Sequence, residues 1–128
     1  MPILRILVAT DGSPAADRAV TAAAELASGL AAELLIVTFG GSLSRAEMEQ
    51  LARAEGGISE ALDLLTKRIL LTAKEQAAKI GAPKVRTWSG YEDPAEGIME
   101  IARREQTDII VAGRRGRGQL AGLLLGSV

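Results

Sequence analysis

Asp108-Ile-Ile-Val-Ala-Gly-Arg-Arg-Gly-Arg-Gly-Gln-Leu-Ala-Gly-Leu-Leu-Leu-Gly-Ser-Val128 is the stretch whose reading decides the fold. Ile109 to Val111 is an apolar, β-branched run of the kind that fills a strand covered on both faces. At Gly113 it breaks into glycines, with Gly116, Gly118, Gly122 and Gly126 following and Ser127 beside the last. Glycines at the carboxyl end of a parallel strand leave bare N–H groups where open α/β sheets bind ligands, and clustered N–H groups favour anions such as phosphate. Arg114, Arg115 and Arg117 add positive charge to the same loop. The same residues also read as a basic surface turn that merely leaves a strand, because isolated glycine patterns match widely.

Outward from that tail, apolar runs alternate with helical spacings. Ile3 to Ala9 reads as a first, central strand interrupted by Arg5. It ends in Thr10-Asp11-Gly12-Ser13-Pro14, where Ser13 is a good helix N-cap and Pro14 takes the first helical position, at which its missing N–H costs nothing. The helix carries Ala19, Val20, Ala23, Leu26 and Ala27 on one face and is expected to run to about Ser28, with Gly29 as its stop. Asp11 thus lies in the first βα turn, either capping a nearby backbone N–H or meeting a ligand. Leu34 to Phe39 is a second strand, closed by Gly40-Gly41-Ser42. Residues 42–57 are polar with weak helical spacing and read as a loop or short helix.

Ile58, Ala61, Leu62, Leu65, Ile69, Ala73, Ala77 and Ile80 fall three or four apart and predict a long helix, stopped by Gly81 and Pro83. Lys84 to Gly90 mixes Val85 and Trp88 with polar neighbours, as an edge strand does, and Trp88 reads as packing or a partner contact there. Asp93-Pro94-Ala95-Glu96 combines an N-cap, a proline start and a capping-box glutamate. It opens a helix to about Glu105 with Ile98, Ile101 and Ala102 inward. The βαβαβαβ alternation predicts one domain over residues 1–128, a three-layer, doubly wound parallel sheet with helices on both faces. Its first and fourth strands should be neighbours, with a crevice where the connections diverge.

Gly113, two residues, Gly116, nine residues, then Gly126-Ser127 resembles the ATP-binding signature of the universal stress protein family. Ile6-Leu7-Val8-Ala9-Thr10-Asp11-Gly12-Ser13 resembles that family's first strand, its nucleotide-contacting Asp and the start of its first helix. The order of elements between them fits as well, so the resemblance covers nearly the whole chain. It implies an adenine nucleotide alpha hydrolase-like (Rossmann-like) α/β fold with strand order 3-2-1-4. It also implies ATP, with or without Mg2+, held by Ala9, Thr10, Asp11, Phe39, Ala112, Gly113, Arg115, Gly116, Gly126, Ser127 and Val128. Base and ribose would lie against the ends of the first and second strands, and the phosphates across Gly113 to Gly116 and Gly126-Ser127.

A carboxylate beside a triphosphate would repel it, so Asp11 is expected on a ribose hydroxyl, the adenine amine or a bound cation. Phe39 falls where a side chain packs near adenine or ribose, and a core or rim position accounts for it equally well. Arg115 is placed to screen phosphate charge, and Thr38 stands where many relatives have a histidine. Relatives continue past the Gly-Ser with another helix and a fifth strand. With Val128 as the last residue given, the expectation is that the fifth strand is missing and the fourth is left as an apolar edge, with a homo-oligomer, a dimer, covering it.

Composition narrows the chemistry. The 128 residues carry a net charge of −1, so no global field recruits nucleic acid or membrane. Hydrophobic residues make up 48% but aromatics only 2%, so the core must be built from Ala, Val, Ile and Leu. With no cysteine and no histidine, thiolate chemistry, disulfides and the commonest general base are excluded. Neither a signal peptide nor an apolar run of about 18 residues is present in the sequence, so a cytoplasmic protein with no membrane partner is expected.

Neither the Walker string nor, after the first strand, the dinucleotide fingerprint occurs. Hydrolysis would need a positioned water and groups that stabilise the transferring phosphoryl, and the chain offers Asp11 without an evident second carboxylate. The reading is therefore an ATP-binding stress-response or regulatory module with at most slow hydrolysis and no assigned catalytic residue. Two alternatives stand beside it. An adenylyl-transfer enzyme of the same superfold would carry further substrate motifs. An interaction or nucleic-acid module would use Arg114 to Arg117, and the scarcity of aromatics to stack bases weighs against it.

Overall fold

The computed structural model describes residues 4–39, 53, 57–113 and 123–127. Strands β1 (Arg5–Ala9), β2 (Glu33–Phe39), β3 (Lys84–Gly90) and β4 (Ile109–Gly113) alternate with helices α1 (Pro14–Leu30), α2 (Gly57–Ile80) and α3 (Pro94–Arg104). A further strand, β5 (Leu123–Ser127), follows β4. The sheet order is β3-β2-β1-β4-β5. The first four strands are parallel, Val8 lying opposite Ile36 on one side and Val111 on the other. The expected 3-2-1-4 order is thus what the chain adopts.

β5 corrects one expectation. Leu123–Ser127 pairs antiparallel with β4, Gly113 opposite Leu123 and Ile109 opposite Ser127. The β4 edge, expected to be open, is therefore covered by residues that the sequence placed in a phosphate loop, and this antiparallel strand is distinct from the one expected beyond Gly126-Ser127. The apolar Leu-Leu-Leu run supplies the reason: three consecutive leucines suit a strand beside an apolar partner better than a solvated loop. The polar segment expected over residues 42–57 lies, apart from Arg53 and Gly57, which begins α2, outside the described residues, as do residues 114–122.

Parallel strands covered on both faces need apolar residues at every position, and this requirement explains the two cores. Ile6, Val8, Leu34, Ile36 and Val111 point to one face and meet α1 and α2 through Ala19, Val20, Ala23, Ala24, Ala27, Ala73 and Ala77. The small alanine faces let both helices lie close to the sheet. A polar clasp joins the helices where Gln76 Nε2 donates to the carbonyl of Asp17 at 3.0 Å and to Thr21 Oγ1 at 2.6 Å. Leu7, Leu35, Val37 and Phe39 point the other way and meet Ile101 and Ala102 of α3. β3 is an outer strand with Lys84, Arg86 and Ser89 exposed.

Caps follow the sequence closely. Ser13 Oγ accepts from the N–H of Ala16 at 3.2 Å and Asp93 Oδ2 from that of Glu96 at 3.2 Å, each worth about 1 kcal/mol. The stop of α1 differs. Gly29 lies inside the helix, and Ala31 takes the left-handed conformation at φ 54° with its N–H directed at Ala27 and Ser28.

Candidate functional site

The sheet order fixes where a site can form. The chain passes from β1 through α1 to β2 on one side, whereas the next strand after β4 lies on the other side, so the two successions part at the β1–β4 boundary. That divergence is where open α/β sheets hold their ligands. Val8 faces Val111, which puts Ala9, Thr10 and Asp11 next in line beside Ala112 and Gly113.

The turn after β1 is held by its own side chains. Thr10 donates its N–H to the carbonyl of Val37 at 2.9 Å, and its Oγ1 accepts from the N–H of Gly12 at 3.1 Å. Asp11 Oδ1 accepts from the N–H of Ser13 at 2.9 Å. Gly12 sits at φ +81°, and a Cβ there would come 3.2 Å from Ile69 Cγ1 on α2. Glycine alone suits both that backbone and the helix lying over it. Of the two readings left open for Asp11, the cap is realised, and it fixes the carboxylate at the carboxyl end of β1.

Gly113 closes the other side. A Cβ on it would stand 2.8 Å from the carbonyl oxygen of Ala15, so the end of β4 lies directly against the first turn of α1. Ala9 is partly buried on the α3 side and Ala112 is partly buried opposite Leu124. These five residues, with Gly12, make a small polar step between β1 and β4.

The other predicted contacts are placed differently. Phe39 ends β2 opposite Gly90 and is 3% exposed. Its ring lies 5.8 Å from that of Trp88 at 58°, and a Cβ on Gly97 would overlap it. It is a core ring beneath α3. Trp88 is packing too, with the guanidinium of Arg104 5.7 Å above its ring. Gly126 and Ser127 pair with Ile110 and Ile109, at the amino end of β4. Four strand steps separate that end from Gly113, about 13 Å at the usual rise. Arg115, Gly116 and Val128 lie outside the described residues.

Three contacts at this edge had no local signal in the sequence. Ile69 was read only as one apolar position among many, yet it covers Gly12. Ala15 meets Gly113 across nearly the whole chain length. Tyr91, just past β3, donates its hydroxyl to Asp63 on α2, and that bond holds the phenol above its ordinary pKa. Among the described residues no three acidic, histidine or cysteine side chains gather to hold a metal. No helix among them is long and apolar enough to cross a membrane.

The opposite edge is structural. Arg86 is paired with Glu33 and Glu105, and Lys84 reaches Glu33 at 3.5 Å. Asp108 Oδ2 accepts from the N–H groups of Leu4 and Arg5 at 2.9 and 3.0 Å, which lowers its pKa. These contacts anchor the starts of β1 and β4 to each other.

A doubly wound sheet with its crevice on the β1–β4 boundary is the mark of a Rossmann-like α/β protein. Within that class, residues 2–128 match the Universal stress protein family, and the chain belongs to it. It is 33% identical over 128 residues to Universal stress protein Rv1636 of Mycobacterium tuberculosis, covering 96% of this chain and 84% of that protein. It also superposes on a universal stress protein solved in complex with cAMP, with a TM-score of 0.71 and 25% identity. That match covers 95% of this chain and 81% of the other. A universal stress protein of Archaeoglobus fulgidus, solved in complex with dAMP, shares the fold at a TM-score of 0.64 and 23% identity, covering 88% and 82%.

Proposed function

We propose that this protein is an adenine nucleotide-binding regulatory module, with the nucleoside held at the turn after β1 and the phosphates toward the Gly113 end of β4. The observation that carries the reading is the ordered Thr10-Asp11-Gly12-Ser13 turn beside Gly113 at the strand divergence. The relative solved with cAMP supports the ligand class. ATP is the ligand expected, with or without Mg2+. Asp11 meets a ribose hydroxyl, the adenine amine or a cation, and Ala9, Thr10 and Ala112 line the step around it. Phe39 acts from below by supporting the end of β2 rather than by stacking on the base. Arg115, Gly116, Gly126, Ser127 and Val128 are the phosphate-side residues that the resemblance implies, and of these Gly126 and Ser127 pair in this structure with the amino end of β4, about 13 Å from Gly113. The protein works by occupancy, with hydrolysis slow or absent, as a cytoplasmic homodimer.

The test is mass analysis of nucleotide carried through native purification, followed by calorimetric titration with ATP, ADP, AMP and cAMP. Affinity in the micromolar range, about −8 kcal/mol, is expected for at least one of them. A folded protein that carries none and binds none at millimolar concentration overturns the reading. Phosphate release at several turnovers per second, in the ordinary enzymatic range, overturns the regulatory part of it.

A further inference from the structure

On the nucleotide reading above, we propose that the step between β1 and β4 recognises the nucleoside alone: the amino end of α1 is closed to phosphate, and adenosine is a ligand in its own right. In open α/β sheets the amino end of the first helix is a ready seat for phosphate. Its leading N–H groups lack partners, and the helix dipole is positive there. Here both attractions are satisfied within the chain. The N–H of Gly12 donates to Thr10 Oγ1 at 3.1 Å, that of Ser13 to Asp11 Oδ1 at 2.9 Å and that of Ala16 to Ser13 Oγ at 3.2 Å. Position 14 is proline and has no N–H to offer. The N–H of Asp17 begins the helix ladder on the carbonyl of Ser13 at 2.9 Å. Asp17 also sets a carboxylate in the first turn, the charge that the dipole favours, and Asp11 sets a second one ahead of it.

Ala15 is the one residue left in that turn, and the end of β4 lies against it. A Cβ on Gly113 would stand 2.8 Å from the carbonyl oxygen of Ala15 and 3.5 Å from the nitrogen of Ala16. A gap too tight for one side-chain carbon holds no phosphate, and the nearest atom across it is an acceptor that repels one. What the step does present is the Asp11 carboxylate, which accepts from hydroxyls and amines and disfavours anions. A nucleoside fits that chemistry, and any phosphates on it point away from α1. Arg114, Arg115 and Arg117 come next in the sequence. Their attraction for phosphate is a charge effect that salt screens, so it is separable from a seat built of helix N–H groups.

Calorimetric titration of the wild-type protein with adenosine, AMP and ATP tests this, at ordinary salt and at about 1 M salt, where the Debye length is about 3 Å. Adenosine is expected to bind within about tenfold of ATP at high salt, and millimolar inorganic phosphate or pyrophosphate should displace neither. ATP more than about tenfold tighter than adenosine at high salt, binding of ATP that salt abolishes, or displacement of adenosine by pyrophosphate overturns the proposal. Each of those outcomes leaves the nucleotide reading standing. Failure of all three ligands to bind at either salt concentration removes both.

Amide chemical shifts locate the phosphates independently of affinity. The N–H signals of Ala15, Ala16 and Asp17 are expected to move alike with saturating adenosine and saturating ATP, since no phosphate reaches them. Displacements at these three amides that ATP produces and adenosine does not would put phosphate on the amino end of α1 and sink the idea.

Discussion

The Cβ that Gly113 lacks would lie 2.8 Å from the carbonyl oxygen of Ala15, so the last residue of β4 and the first turn of α1 are in backbone contact. This relationship changes what a glycine at that position means. The sequence offered it as a residue that opens room for phosphate, whereas the structure shows a residue that lets a strand end meet a helix. Gly113→Ala is therefore expected to cost about 1–3 kcal/mol of stability without any nucleotide present, because the helix backbone has to shift. Urea unfolding of nucleotide-free protein measures it. Unchanged stability would show that the contact is looser than the structure has it.

Phe39 makes the companion case. Its ring fills the space above Gly97 and beside Trp88, 3% exposed. Phe39→Ala should cost about 3–5 kcal/mol, and Gly97→Ala about 1–3 kcal/mol through overlap with the ring. Joining Gly97→Ala to Phe39→Leu should recover part of the second loss, since the smaller side chain makes room. Strict additivity of the two changes would argue against direct packing.

What could be read in advance follows a physical line. The strands, the two proline-led helices and the 3-2-1-4 order were legible because continuous apolar runs, N-caps and right-handed crossovers act locally or by general rule. Gly12 was recognisable as a turn, and Asp11 as a turn residue. The meetings of Gly12 with Ile69, Gly113 with Ala15 and Tyr91 with Asp63 were not, because each joins elements far apart in the chain. Leu123–Ser127 misled for a different reason. Glycines and a serine spoke for a loop while three leucines spoke for a strand, and pairing with an apolar edge decided it.

Asp11 has two jobs that substitution can separate. Asp11→Asn keeps an oxygen to accept the N–H of Ser13 and removes the charge, whereas Asp11→Ala removes both. The alanine variant should lose about 1 kcal/mol of stability and the asparagine variant less. Both should weaken adenine nucleotide binding, the alanine variant by tenfold or more, or about 1.4 kcal/mol. Calorimetry on folded variants decides: undiminished affinity in the alanine variant would remove Asp11 from the site.

Tyr91 is the only tyrosine, so phenolate absorbance reports on it alone. Its hydrogen bond to Asp63, helped by burial and by the carboxylate charge, raises its pKa above 10.0. A raised pKa contributes stability that is fully present below pH 10 and is lost as pH rises through the folded value. The titration midpoint should lie above 10.0 in the wild type and return toward it in Asp63→Asn. Identical midpoints would mean that the bond across the carboxyl edge does not persist in solution.

Acid should act at the opposite edge, through Asp108. Its Oδ2 accepts from the N–H groups of Leu4 and Arg5, and the bond to Leu4, followed by that to Arg5, lowers its pKa from 3.8. The N–H of Asp108 also donates to the carbonyl of Arg5 at 2.9 Å, so this one residue sets the start of β4 beside the start of β1. A lowered pKa contributes stability that is present above 3.8 and is lost as pH falls through the folded value. Asp108→Asn keeps an acceptor without the titrating charge, so the gap between wild type and variant should be widest above about pH 4 and close below it. The site is open to solvent, and added salt should shrink the gap by screening the nearby Arg5 charge while leaving the two N–H bonds in place. Unfolding free energies measured across that range at low and high salt check both parts. Wild-type and variant curves that stay parallel through the acid limb would show that Asp108 titrates as an unperturbed surface carboxylate and does not hold β4 to β1.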